Sequence, residues 1–191
     1  MLEVALLQEE WESCERILSL CEESRVRIIV PGYSLIEPYE TLKRRQKERK
    51  EVGRRLDKEL KKISRTATYR EKLSGFDEII ELFAESAEED NRSLNRTCSR
   101  ILDIADSISL DSEVLKSADS YRRQYRFSPQ DAIVYASVLS HLDNCHSSMS
   151  FFVTRDRDFI DPDIASELQR YNCTLLSNFG HAYRVIRRSL S

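Results

Sequence analysis

The chain has 191 residues, of which 40% are hydrophobic and 33% are charged, and this composition predicts one soluble globular domain with a sizeable core. Its net charge of −3 at pH 7 gives no overall basic field of the kind that marks nucleic-acid binding. The five cysteines form no CxxC pair and no stretch approaches the ~18 apolar residues of a membrane span, which excludes a zinc knuckle, a disulfide framework and a membrane protein and predicts a cytoplasmic one.

The first part of the chain predicts two helices with a strand between them. From Leu2 to Cys21, apolar residues recur at spacings of three and four, which indicates one amphipathic helix. The segment from Arg25 to Pro31 is rich in Val and Ile and predicts a buried strand. Ser34 then predicts the cap of a second helix, which continues through Leu42.

The middle of the chain separates charges of opposite sign. Between Lys43 and Lys72 there are 14 Lys and Arg against 5 Asp and Glu, whereas Leu73 to Asp90 holds 7 acids and no base. The basic stretch carries only a narrow apolar stripe and therefore predicts a long, partly free-standing helix. After a break from Thr66 to Gly75, two more amphipathic helices are predicted, at Phe76 to Ala87 and at Leu94 to Ala105.

The last part alternates helices with short apolar strands, which indicates a parallel α/β sheet. Caps predict where its helices begin: Asp111, Ser128 followed by Pro129, and Asp161 followed by Pro162. The remaining predicted elements are strands at Ser150 to Thr154 and Cys173 to Ser177, and a closing helix from Asn178 to Leu190.

Carboxylates follow two of these elements at positions where α/β proteins bind ligands. Asp131 lies in the first turn of the helix capped by Ser128. Asp156 and Asp158 follow the strand that ends at Thr154. Because open α/β sheets bind ligands beyond the carboxyl ends of their strands, the arrangement predicts that Asp131 lies near the Asp pair.

Four segments resemble motifs of one known family. The segments SPQDAIVYASVL and FFVTRDRDF resemble the third and fourth acidic motifs of PIN domains, the metal-dependent nucleases that include VapC-type toxins. The segment IIVPGYSLIEPYETL resembles the second motif, with Glu37 in the acidic position, and SISLDSEVLKSADSYRRQYRF resembles the lead-in to the third. The resemblance covers most of the chain, except a divergent helical middle.

The resemblance implies a PIN-like three-layer α/β fold with a parallel sheet flanked by helices. It implies a single domain over residues 1–191, with a helical insertion at about 43–100. The implied activity is an endoribonuclease that hydrolyses RNA with water activated by Mg²⁺ or Mn²⁺. Relatives of VapC type often form homodimers and are inhibited by an antitoxin protein, although the long helical insertion departs from the compact toxins.

The resemblance also assigns residues to roles. Metal ligands and catalytic groups are expected at four acids: Glu37, Asp131, Asp156 and Asp158. Thr154 is expected to orient a carboxylate or a bound water. RNA contacts are expected from five basic residues: Arg155, Arg157, Lys43, Arg44 and Arg45.

The first acidic motif of the family and its strand have no counterpart, because Met1 already corresponds to the start of the following helix. We expect the chain to begin at an internal methionine of a longer protein rather than to be a degenerate member, because losing a central strand would leave backbone groups unpaired. This sequence therefore lacks the first metal ligand of the family. Only another acid, such as Glu3 or Glu40, could take its place.

Other interpretations of the same residues stay open. Ser34 with Glu37, and Ser128 with Asp131, fit helix caps that need no metal, and Asp156 and Asp158 fit loop acids paired with the neighbouring arginines. The basic segment fits a solvated helix, an RNA-binding arm, or a partner of the acidic helix that follows it. For the whole chain, the alternatives are a degenerate PIN-like module that binds RNA or protein and, more weakly supported, a phosphatase.

Overall fold

The computed structural model describes residues 1–70, 73, 75–145 and 149–190, so that Lys72 of the basic segment lies outside the described residues. The described residues form helices separated by short parallel strands, as the sequence predicts. No helix in these ranges combines the length and the apolar character that a membrane crossing requires.

The strands form two separate parallel pairs. Strand β1 (Ile28–Pro31) pairs with β2 (Ala105–Ile108), and β3 (Ser150–Val153) pairs with β4 (Cys173–Leu176). The expected continuous sheet is therefore not present in the part of the chain that the structure describes, where no strand joins the two pairs. Strands β1 and β3 are mostly half-exposed, whereas parallel strands are usually covered on both faces.

The first predicted helix is two helices, α1 (Leu2–Ala5) and α2 (Trp11–Glu22). The prediction of one helix is wrong because the backbone turns at Leu7, whose φ of 47° lies in the left-handed region. Helix α2 is tied to a later helix by Arg100, whose guanidinium pairs with Glu15 and Glu22, each at 2.7 Å.

Two long helices form a hairpin, α3 (Glu37–Ile63) and α5 (Phe76–Ile104), with the short α4 (Ala67–Arg70) between them. The predicted long basic helix is confirmed. The two helices predicted after it are one, because the stretch between them contains no Gly or Pro to end a helix.

The two helices of the hairpin touch at a small residue. A Cβ atom added to Gly53 would lie 3.3 Å from Cδ2 of Phe83, so glycine lets α3 and α5 approach closely. Beside it, the side chain of Gln46 donates a hydrogen bond to the carbonyl of Ala87, and Arg49 pairs with Asp90 at 2.7 Å.

The later helices begin where their caps predict. Asp111, Ser128 and Asp161 each accept a backbone N–H at the start of α6, α7 and α8, and Asn178 does the same for α9. The four helices have the following bounds: α6 Ser112–Tyr125, α7 Pro129–Asn144, α8 Pro162–Gln169 and α9 Phe179–Ser189.

The largest hydrophobic cluster joins α6, α7 and α8 with β4. Tyr135 of α7 lies at its centre with 0% of its surface exposed. Its hydroxyl donates to the carboxylate of Glu167 at 2.7 Å, and Tyr125 donates to the same oxygen at 2.8 Å. Because α7 is anchored in this cluster, its first turn and Asp131 have a fixed position.

Candidate active site

Acidic residues from three separate elements act on one another electrostatically. Glu37 is the first residue of α3, Asp131 lies in the first turn of α7, and Asp156 follows β3. Partial burial raises the pKa of the Glu37 carboxyl, and the charges of Asp131, Asp156 and Glu40 raise it further. Asp131 and Asp156 are therefore near enough to Glu37 for their charges to act on its carboxyl, and a shared metal site stays a prediction.

Glu37 is not part of a helix cap. Ser34 lies inside a 3₁₀ turn, Gly32–Leu35, and the residue that precedes α3 is Ile36, which offers no side-chain hydrogen bond. The prediction that Ser34 caps this helix is therefore wrong. The helix begins at Glu37 because Pro38, with its fixed φ and missing N–H, suits the first turn.

Asp131 belongs both to a cap and to the acidic group. The Ser128 hydroxyl accepts the backbone N–H of Asp131 at 3.2 Å and donates to one of its carboxylate oxygens. Burial raises the pKa of the Asp131 carboxyl, the hydrogen bond from Ser128 lowers it, and the charges of Asp156 and Asp158 raise it. One carboxylate oxygen of Asp131 is thus held by Ser128.

The loop after β3 is organised by its own side chains. The hydroxyl of Thr154 accepts the backbone N–H of Asp156 at 3.0 Å, and Asp156 in turn accepts the N–H of Asp158 at 3.0 Å. A short 3₁₀ turn, Arg157–Phe159, follows, and the buried ring of Phe159 anchors it. Thr154 therefore orients the backbone that carries Asp156.

Arg155 is engaged with the first helices rather than with the neighbouring aspartates. Its guanidinium lies 2.6 Å from Glu3, 3.1 Å from Glu9 and 3.7 Å from Glu10. The interpretation that the Asp pair simply neutralises adjacent arginines is wrong for Arg155. Its contact with RNA stays a prediction.

Of the acids considered as a replacement for the missing ligand, one has another role. Glu3 pairs with Arg155 and also accepts the backbone N–H of Glu10 at 2.9 Å. Glu40 lies one turn after Glu37, and its charge raises the pKa of Glu37. Glu40 is therefore the better placed of the two.

Two groups at the site were not anticipated from the sequence. Burial raises the pKa of the Tyr33 hydroxyl, and Glu40, Glu37 and Asp131 raise it further, so that Tyr33 lies beside the acids. Its position, directly after β1, is the signal that would have identified it. The α-amino group of Met1 is buried, which lowers its pKa, and its charge acts on Glu37.

The acids fit a hard divalent cation by their chemistry. They offer carboxylate oxygens, which Mg²⁺ and Mn²⁺ prefer. Among the described residues, none of the four predicted ligands has an ion-pair partner within 4 Å, so their charge is not balanced by a basic side chain there. In the same residues, however, no three His, Cys, Asp or Glu side chains are grouped closely enough to enclose a metal ion.

The basic residues predicted to bind RNA lie in different surroundings. Lys43 and Arg44 are exposed on α3, whereas Arg45 is half-buried. Arg157 is exposed in the loop that carries Asp156. These positions place Lys43, Arg44 and Arg157 at the surface near the acidic group.

Short parallel strands between helices define an α/β protein, and the acids Glu37, Asp131 and Asp156 follow or begin its elements. The family model of the PIN domain matches residues 2–159, and the chain therefore belongs to the PIN-domain family. PIN domains are generally nucleases that bind RNA and usually use divalent metal ions. No curated protein and no solved structure matches the chain.

Proposed function

We propose that the chain is a metal-dependent endoribonuclease of PIN type, with Glu37, Asp131 and Asp156 as the principal metal ligands. The observation that carries the proposal is that the charges of Asp131 and Asp156 act on Glu37 and the charge of Asp156 acts on Asp131, although the three residues belong to three separate elements. Because like charges at close range destabilise one another, such a group is favourable only where a cation or a proton compensates it.

The chain's own residues would position the reactants. Ser128 holds one oxygen of Asp131 and Thr154 holds the backbone of Asp156, so that the free carboxylate oxygens can face a shared ion. Asp158 would act as a fourth ligand or hydrogen-bond a metal-bound water. A bound Mg²⁺ or Mn²⁺ would activate water and neutralise charge on the phosphate.

Substitution of the ligands tests the proposal. Glu37→Gln, Asp131→Asn and Asp156→Asn keep size and hydrogen-bonding groups while removing charge. Each variant should weaken Mn²⁺ binding, measured calorimetrically, by about tenfold or more and abolish Mn²⁺-dependent cleavage of a fluorescent RNA. Near-normal urea unfolding would show that the fold is intact.

Glu113→Gln is the matched control, because Glu113 is also an acid in a first helical turn but belongs to α6. It should bind Mn²⁺ and cleave RNA like the wild type. Equal loss in all four variants, or Mn²⁺ binding by none of the proteins including the wild type, would contradict the assignment.

The second candidate is a catalytically degenerate PIN-like module that binds RNA or protein. It is favoured by the absence, among the described residues, of a closed group of three ligands and by the engagement of Glu3 with Arg155. A wild-type protein that binds RNA but gains no thermal stability with Mn²⁺ would support this candidate. Homodimer formation and inhibition by an antitoxin stay predictions that rest on the family resemblance.

A further inference from the structure

The exposed side of α3 carries an uninterrupted row of basic side chains. Six Lys and Arg residues recur along the helix at spacings of three and four, which places them on one face. We call this row the basic stripe, and its members are Lys43, Lys47, Lys50, Arg54, Lys58 and Lys61. All six are exposed.

The basic stripe lies on a different side of α3 from the one that packs against α5. The packed side, with Leu42 and Gly53 buried, is about 100° around the helix from the stripe. The described ion pair between the two helices is formed by Arg49, which is not in the stripe, with Asp90. The interpretation that α3 and α5 cancel each other's charge therefore does not hold for the stripe.

Neighbouring acids on α3 remove little of this positive charge. Asp57 pairs with Lys61 of the stripe at 2.7 Å, and Glu59 pairs with Lys62 beside it at 2.5 Å. Both lysines stay more than half exposed, and surface pairs of this kind contribute little and are screened by salt. The stripe thus presents several cations to solvent on a rigid helix.

The stripe begins next to the acidic site. Lys43 follows Glu37 by six residues on the same helix, a rise of about 9 Å at 1.5 Å per residue. From Lys43 to Lys61 the stripe extends about 27 Å further, which corresponds to roughly eight nucleotides of a stacked strand at 3.4 Å each. A polyanion lying along the stripe would therefore reach the end of α3 at which Glu37 lies, about a third of a turn around the helix from Lys43.

From this arrangement we infer that the basic stripe binds the phosphate backbone of the RNA substrate and guides the strand into the acidic site. The inference rests on the proposed nuclease function for the identity of the polyanion. Contacts to phosphates carry no base information, so the stripe gives affinity and direction without sequence specificity.

The acidic outer side of α5 limits the RNA to one side of the hairpin. Exposed acids recur there at helical spacing, and they are Glu78, Glu81, Glu85, Glu88 and Glu89. A polyanion is repelled by that surface and attracted by the stripe. The same acids on a second copy of the chain are the alternative partner for the stripe.

The test measures RNA binding in EDTA, so that cleavage does not contribute. The probe is a fluorescein-labelled oligouridylate of 12 nucleotides, titrated with protein at several salt concentrations. The stripe variant Lys47→Gln/Arg54→Gln/Lys58→Gln should bind about tenfold more weakly or worse at low salt. Its slope of log affinity against log salt should fall by about 2, at roughly 0.7 per lost phosphate contact.

The control variant Arg92→Gln/Arg96→Gln/Lys116→Gln removes the same charge from exposed positions outside α3. It should keep nearly the wild-type affinity and salt slope. A 4-nucleotide probe should bind wild type more weakly than the 12-nucleotide probe and lose less affinity in the stripe variant, because it covers only part of the stripe.

Equal affinity loss in the stripe and control variants would overturn the inference, since it would show a general charge effect. A stripe variant that changes from dimer to monomer in light scattering while keeping RNA affinity would also overturn it and assign the stripe to a second copy. Stripe-dependent RNA binding without Mn²⁺-dependent cleavage would contradict the nuclease proposal but leave the stripe as an RNA-binding surface.

Discussion

At the scale of single residues, the acidic site is defined by carboxylates that form no ion pair with a basic side chain of the described residues. Glu37 and Asp131 each have a raised pKa; burial is the largest cause for both, and the charges of neighbouring carboxylates add to it, while for Asp131 the hydrogen bond from Ser128 acts in the opposite direction. Residue types and motif order predicted both residues as metal ligands, and that assignment stays a prediction. The proximity of Tyr33 to the acids, for which its position after β1 is the signal in the sequence, depends on the 3₁₀ turn that precedes α3.

The raised pKa values of Glu37 and Asp131 predict a pH dependence of stability. The ordinary pKa is 4.5 for Glu and 3.8 for Asp, and the pKa values in the folded protein are higher. At a pH between the ordinary and the raised pKa of a group, the folded state binds more protons than the unfolded state. The free energy of unfolding in EDTA should therefore fall as pH rises through this window. Urea unfolding at pH values from about 4 to about 7 measures the effect.

The double variant Glu37→Gln/Asp131→Asn supplies the comparison, because other titrating groups are common to both proteins. Its free energy of unfolding should fall less steeply with rising pH than that of the wild type. Added Mn²⁺ should recover the difference at neutral pH in the wild type alone. Parallel pH curves for the two proteins would contradict the prediction.

The two arginines of the loop after β3 should differ in their effect on RNA binding. Arg155 forms ion pairs with three glutamates, whereas Arg157 is exposed and has no ion-pair partner among the described residues. Arg157→Gln should lower the salt slope of RNA binding by about 0.7, and Arg155→Gln should change it less. Fluorescence titration in EDTA measures both, and the opposite order would show that RNA displaces the glutamates.

At the scale of elements, local signals predicted where helices begin but not where long-range contacts reshape the chain. Asp111, Ser128 and Asp161 cap as predicted, because a cap depends only on residues two or three positions away. The break between α1 and α2 was not predictable. It lies where Glu9 and Glu10 contact Arg155, a residue more than 140 positions further along the chain.

The close contact between the hairpin helices predicts a steric effect at Gly53. In Gly53→Leu, the new side chain would meet Phe83, since even a Cβ atom would lie 3.3 Å from its ring. The free energy of unfolding should fall by about 1–3 kcal/mol, as measured by urea denaturation. Val52→Leu, at an exposed neighbouring position, should change it by less than about 0.5 kcal/mol. Equal stability of both variants would show that α3 and α5 separate without cost.

At the scale of the whole molecule, the buried apolar side chains are distributed unevenly along the chain. The largest cluster is built by residues after Ser112, whereas the outer part of the hairpin exposes apolar side chains such as Val52, Ile63 and Leu82. The sequence predicted the α/β class and the parallel strands. It did not predict two separate strand pairs, because strand pairing is non-local and each strand is only four residues long.

This uneven distribution of the core predicts uneven hydrogen exchange. Amides of α7 around Tyr135 should exchange slowest, since their opening requires unfolding of the main cluster. Amides between Lys58 and Ile63 should exchange much faster, because few buried contacts hold that end of α3. Mass-spectrometric exchange measured by peptide tests this order, and equal protection of the two segments would contradict it.

The opposite charges on the two outer sides of the hairpin give the molecule a large electric dipole moment despite its net charge of −3. In the field of a polyanion, such a molecule experiences a torque that turns α3 toward the strand before any contact forms. Orientation during approach increases the fraction of productive encounters, and salt screens it over about 10 Å at 0.1 M. The association rate constant for RNA should therefore fall as ionic strength rises, although protein and RNA carry net charges of the same sign.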